Sequence, residues 1–264
     1  MNDSTEQLLA SELAVSVISS LHYPKRSFGE GMAEYALELL ERGGKFHWEA
    51  SRTYTVSLTS ELDSLEQWRA YCPRSGGVAL GFSAKHLAAV AADQGYLLAP
   101  CVYDQPTQRA IVEQIVIHHL RIWDDRLPLV ATREGISSHL VHDFVADLER
   151  YAALLKHSSF SAEREWRLIS PLAGEGPAPS YIHLPTTSGI KQFRSFSLLT
   201  IDHPEIADDL NGDTIWQIGS ERQGFRPVIG PCLDPDGMDE AIRTLTPPEF
   251  GHIFRCERTA SPFR

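Results

Sequence analysis

Five consecutive positions of SFSAEREWRLIS, Ser159 to Ser170, hold Glu163, Arg164, Glu165, Trp166 and Arg167. If a strand begins near Arg164, alternation sends Trp166 and Leu168 to one face and Glu165, Arg167 and Ile169 to the other. Glu165 and Arg167 then become neighbours, with Trp166 and Leu168 free to enter the core. A carboxylate beside a guanidinium stays ionised, and in a pocket it can accept a hydrogen bond from a sugar hydroxyl or stabilise developing positive charge. The plainer alternative is a structural ion pair.

A second Trp-Arg pair stands in EQWRAY, Glu66 to Tyr71. Arg69 and Tyr71 could offer a cation and a phenol to a phosphate-bearing ligand, because guanidinium matches phosphate bidentately. The plainer reading puts Trp68 in the core and Arg69 on the surface. Other chemistries find less support. Ser75-Gly76-Gly77 precedes a strand instead of opening a helix, so it is no Walker or Rossmann phosphate loop. No serine has a G-x-S-x-G setting. His118 and His119 diverge around a helix, and His139 and His142 lack an evident third ligand, so no metal is expected. A nuclease-like use of Glu163 and Glu165 with a divalent cation would need further carboxylates.

The elements that must position these residues follow from periodicity. Ser4 to Ser20 reads as a helix with a broad apolar face of Leu8, Leu9, Leu13, Val15 and Val17, and a second helix runs from about Gly31 to Glu41, ended by Gly43-Gly44. Arg52 to Thr59 alternates as a half-buried strand with Tyr54, Val56 and Leu58 on one face. Ser60 and Asp63 form a near capping box for the short helix SELDSLEQWRAYC, on which Leu65, Trp68 and Cys72 share a face. Gly76 to Phe82 is expected as a fully buried strand, followed by the helix SAKHLAAVAA with Ser83 as N-cap. Leu97 to Asp104 is the next strand, and Pro100 argues for an edge or bulge.

Two longer helices are expected over Thr107 to about Trp123 and Ile136 to about Lys156. Short strands then dominate: EWRLIS, SYIHL, KQFRSFSLL, IWQIG, RPVIG and HIFRCER, with a helix over Met238 to Leu245. Pro171 to Ser180 is a surface loop by composition. The expected fold class is α+β, a mixed or antiparallel sheet with helices packed on it, helix-rich in the first half and strand-rich in the second. At 264 residues and 42% hydrophobic, the chain suits a single domain over 1–264.

The formal charge of −11 repels phosphate backbones and anionic membranes, so no broad nucleic-acid-binding surface is expected. Lys191 and Arg194 are too few to make a basic patch. MNDSTEQLLASELAVSV has acidic residues where a secretory signal needs a basic start, and no run reaches the ~20 apolar residues of a membrane span. Cys72, Cys101, Cys232 and Cys256 lie far apart with no CxxC, which suits reduced thiols in a cytoplasm.

The order of the pieces NDSTE, DSLEQWRAY, GVALGF, FSAEREWRL, IGP and TASPFR resembles a large, mostly bacterial family catalogued as a domain of unknown function. Thr259 stands where that family usually has Ser. Longer members open with a His-Tyr-Thr element which, with a late Glu, is similar to the His…Glu pattern of ADP-ribosyltransferase folds. The resemblance implies an enzyme using NAD as substrate, in a toxin or phage-defence setting, to modify an unknown target macromolecule or small molecule. Glu165 would be its catalytic residue, with Arg69, Tyr71 and Arg167 binding ligand. The His-Tyr-Thr element is missing here, since His22-Tyr23 lies on the wrong side of NDSTE, so an N-terminally shortened member is expected. The competing expectation is a non-catalytic binding or regulatory domain with structural Trp-Arg motifs.

Overall fold

In the computed structural model, residues 4–21, 33–34, 36–38, 40, 53–61, 63–73, 76–126, 133–172, 175, 178, 180–186, 189–197, 225–232, 234–245 and 256–260 are described. The chain forms two compact units, one from residues 1–58 and 97–178 and one from 59–96 and 179–264. The class is α+β, with helices dominating the first half and short strands the second.

Three helices carry the core of the first unit: α1 (Ser4–Ser20), α4 (Gln105–Arg126) and α5 (Arg133–Ala152). The buried face of α1 is built from Glu6, Ala10, Ala14, Val17 and Ile18. Leu8, expected inside, is 58% exposed. Small alanines let α4 and α5 approach the α1 backbone, and the bulk comes from their side: Val112, Val116, Trp123, Leu140, Val141, Phe144 and Leu148 are all buried. Ala33, Ala36 and Leu40, in helical backbone, join this cluster. The Trp123 indole N–H donates to the carbonyl of Leu140 at 3.4 Å, so the ring enters the core without orphaning its polar atom.

The sheet of this unit has the order β1 (Thr55–Thr59), β4 (Glu165–Ile169), β3 (Leu97–Pro100). Pro100 lies on an edge strand, as its missing N–H requires. The β3–β4 pair is antiparallel, with Leu97 opposite Ile169 and Ala99 opposite Arg167. Central position explains why β4 is buried at Glu165, Arg167, Leu168 and Ile169. Trp166, expected in the core, is 38% exposed, and Val56 on β1 is also exposed. Through Arg167 the burial alternates with the charged side chains inward, and at Leu168 and Ile169 both faces are covered, so Leu168 is in the core as expected.

In the second unit, β2 (Val78–Phe82) pairs antiparallel with β7 (Phe225–Ile229), and β7 pairs parallel with β8 (Glu257–Arg258). β2 is not the fully buried strand expected: Val78 and Leu80 face outward, as an antiparallel sheet covered on one side allows. Helix α2 (Leu65–Tyr71) precedes it, and α3 (Ala84–Asp93) follows, capped by the Ser83 hydroxyl, which accepts from the His86 N–H at 3.4 Å. A separate hairpin, β5 (Tyr181–Thr186) and β6 (Gly189–Arg194), and the helix α6 (Pro235–Leu245) complete the described elements. IWQIG lies outside the described residues. No helix among the described residues is long and apolar enough to cross a membrane.

Candidate functional site: a buried charge network and an aromatic clamp

Helix α5 ends at Ala152, and the chain turns through Ala153 and Leu154 so that Leu155 bridges Val102. The Lys156 N–H donates to the Val102 carbonyl at 3.1 Å. Gln108, buried on α4, fixes this crossing by donating to the carbonyls of Val102 and Lys156 at 2.7 and 2.9 Å. The Lys156 side chain is thereby delivered to the start of β4. A short 3-10 turn, Ser158–Glu163, leads in, and Arg164 adopts the left-handed conformation at φ 43°. That is a costly geometry for a long side chain. It lets Glu163 and Glu165 converge on the same ammonium group.

Arg167 is the centre of the network. Its Nε donates to Glu165 Oε1 at 2.7 Å and its Nη2 reaches Glu165 Oε2 at 3.3 Å. The other edge of the guanidinium grips Glu6 of α1, at 2.5 and 2.8 Å, and Nη1 also donates to the Ala153 carbonyl at 2.6 Å. All five N–H donors of the guanidinium therefore have acceptors. Glu6, Glu165 and Arg167 are all more than nine-tenths buried. Planar, two-edged binding of this kind is available to Arg and not to Lys.

Glu165 is equally engaged. Besides Arg167, Oε2 accepts from Lys156 Nζ, which also holds Glu163 Oε2 at 2.5 Å, and Ser57 of β1 adds a side-chain hydrogen bond. The Glu165 backbone N–H donates to the Tyr103 hydroxyl at 3.0 Å. Burial alone would raise the Glu165 carboxyl, but the bonds from Arg167, Lys156 and Ser57 override it and hold the group at about 2. Burial likewise works against the charge on Arg167 and Lys156, and their carboxylate partners drive both above their ordinary ranges. Burial, then the Glu165 charge, pushes the neighbouring Cys101 thiol up to about 12. Buried and with its thiol raised, Cys101 lacks the thiolate character that a nucleophile needs.

The second Trp-Arg motif builds a different structure. Trp68 is buried and Arg69 is exposed, as the plainer reading expects. Asp63 does not cap α2; Ser64 holds the N-cap position, and no side chain bonds there. Asp63 Oδ1 accepts from the Trp68 indole N–H at 2.7 Å and from the Thr259 hydroxyl, while Oδ2 accepts from the Ala260 N–H at 2.7 Å. The Trp68 ring lies flush on Gly230, where any Cβ would come within 2.5 Å of Cζ3. The Asp63 carboxylate thus joins DSLEQWRAY to TASPFR, and the Trp68 ring it holds packs on the glycine of IGP.

Of the expected site residues, the structure brings Glu165 and Arg167 together in the first unit. Arg69 and Tyr71 belong to the second, where Tyr71 is 73% exposed. Sequence reasoning missed Glu6, Lys156 and Asp63. Glu6 lies in the NDSTE segment, and an acidic residue on the alanine face of an apolar helix is a signal for a buried partner. His119, buried in the core, meets Asp147 at 2.9 Å. The His139 side chain lies outside the described residues, and no group of three metal-ligating residues occurs among those described.

Residues 67–168 match a family described as "Protein of unknown function (DUF2971)". The matched stretch opens inside DSLEQWRAY and closes inside EREWRL, so it takes in both Trp-Arg motifs. No curated protein and no solved structure matches the chain.

Proposed function

We infer that the chain is a binding or regulatory domain in which the Trp-Arg motifs are architectural. One observation carries this reading: Glu165 is 5% exposed and its oxygens already receive Arg167, Lys156 and Ser57. A catalytic carboxylate that engages a ribose needs an acceptor turned toward the substrate. Each bond to Glu165 instead ties a separate piece of chain to the central strand. Glu163 and Glu165 converge on an ammonium group at the point where a bridging metal ion would stand, which also turns the reading away from a metal-dependent nuclease.

ADP-ribosyl transfer from NAD is the second reading, and the strained Arg164 between Glu163 and Glu165 favours it, because such backbone strain gathers at active sites. Glu163, 26% exposed at its side chain, marks the open end of the network. The test is NAD turnover and thermal unfolding measured side by side for the wild-type chain and Glu165→Gln. The architectural reading expects no turnover by the wild type and a lowered Tm for the variant. NAD consumption by the wild type, lost in a variant of unchanged Tm, would establish the transferase reading in its place.

A further inference from the structure

Two cysteines approach one another in the second unit, on either side of the Gly76-Gly77 step that leads into β2. Cys72 caps the C-terminal end of α2, its N–H donating to the Trp68 carbonyl at 2.9 Å. Its sulfur lies 4.0 Å from the carbonyl oxygen of Pro231, the residue immediately before Cys232. In a trans peptide that oxygen is about 2.8 Å from the next Cα, which places the Cys72 sulfur within about 7 Å of the Cys232 Cα. Closing the remaining gap to a disulfide requires the Cys232 sulfur to turn toward Cys72.

The glycines between them keep the approach open. A Cβ on Gly77 would stand 3.1 Å from the Cys72 sulfur, and one on Gly76 would stand 2.6 Å from the Cys232 Cβ. Gly76 also sits at φ +105°, a conformation that L side chains rarely adopt. The Gly230 N–H donates to the Gly77 carbonyl at 2.9 Å and locks the two segments in register. Both thiols are partly exposed, so a small oxidant reaches them. Burial, followed by the nearby Cys232 sulfur, raises the Cys72 thiol, in keeping with two sulfurs in one shared space.

We propose that Cys72 and Cys232 form a redox-sensitive pair that closes to a disulfide under peroxide and staples the end of α2 to the turn after β7. One thiolate attacks the peroxide O–O bond, expelling hydroxide, which takes up the proton that the thiol released, and a sulfenic acid forms. The second sulfur attacks that sulfenic sulfur, the S–O bond breaks, and water leaves as the S–S bond forms. Two thiols and one hydrogen peroxide become one disulfide and two waters. The staple locks the clamp in which Trp68 covers Gly230.

The experiment treats the reduced full chain with hydrogen peroxide, blocks remaining thiols by alkylation, and maps peptides without reduction. A Cys72–Cys232 linked peptide should appear, with Cys101 and Cys256 still alkylated and the link reversed by dithiothreitol. The oxidised chain should melt about 5 °C higher, and Cys72→Ser and Cys232→Ser should each abolish both effects. Sulfinic acid at Cys72 without a link, or a link to Cys256 or between two chains, would overturn the proposal. The linked peptide is sought on the wild-type chain, so its presence or absence decides the matter even if a variant fails to fold.

Discussion

Glu165 illustrates how a carboxylate that is 5% exposed can be held ionised by the cations packed against it. Desolvation opposes its ionisation, and the cations beside it reverse that by hydrogen bonding. Because its folded pKa, about 2, lies below the ordinary 4.5, its stabilising contribution is complete above about pH 4.5 and is lost as pH falls toward 2. That contribution is about 3 kcal/mol at neutral pH. Glu165→Gln removes the charge and leaves Arg167 and Lys156 under-compensated, so it should cost about 3 kcal/mol or more in urea denaturation at pH 7. The gap between wild type and variant should close between pH 4.5 and 2. A gap that stays constant through that range would mean the carboxyl is not held ionised by its neighbours.

At the scale of elements, the sequence made some placements legible and left others hidden. The span of α1, though not its buried face, the Ser83 cap and the edge position of Pro100 depend on neighbouring residues or on backbone chemistry, so they could be read locally. The pairing of Glu165 with Arg167 on one face of β4 was also readable, since alternation alone dictates it. That Glu165 and Arg167 are buried while Trp166 is exposed was not. Trp166 is the more apolar residue, but burial of the charged pair is made possible by Glu6 and Lys156, which lie elsewhere in the chain and neutralise Arg167 and Glu165. The same limit hid the role of Asp63, whose spacing from Ser60 suggested a helix cap while its partners Thr259 and Ala260 lie nearly two hundred residues away.

The clamp around Trp68 yields a test at this scale. Gly230→Ala should destabilise by about 1–3 kcal/mol, because the added methyl meets the indole ring. In a Trp68→Leu background, where the ring is gone, the same substitution should cost much less. Equal costs in the two backgrounds would show that Gly230 is required for its own backbone conformation and not for the tryptophan.

Across the whole molecule, the sequence motifs sort into two internal frames, one in each unit. In the first, NDSTE and FSAEREWRL meet through Glu6, Arg167 and Glu165; in the second, DSLEQWRAY, IGP and TASPFR meet at Asp63 and Trp68. Chain closure over such separations is entropically costly, and charge-assisted, geometrically exacting contacts are one means of specifying it. If these residue types serve the fold, the pair separated by 161 positions, Glu6 and Arg167, must be energetically coupled. A double-mutant cycle on Glu6→Gln and Arg167→Met, followed by global denaturation, measures that coupling. An architectural network predicts about 2 kcal/mol, with the double variant recovering part of the loss seen in either single variant. Additive losses, with coupling below about 0.5 kcal/mol, would contradict it.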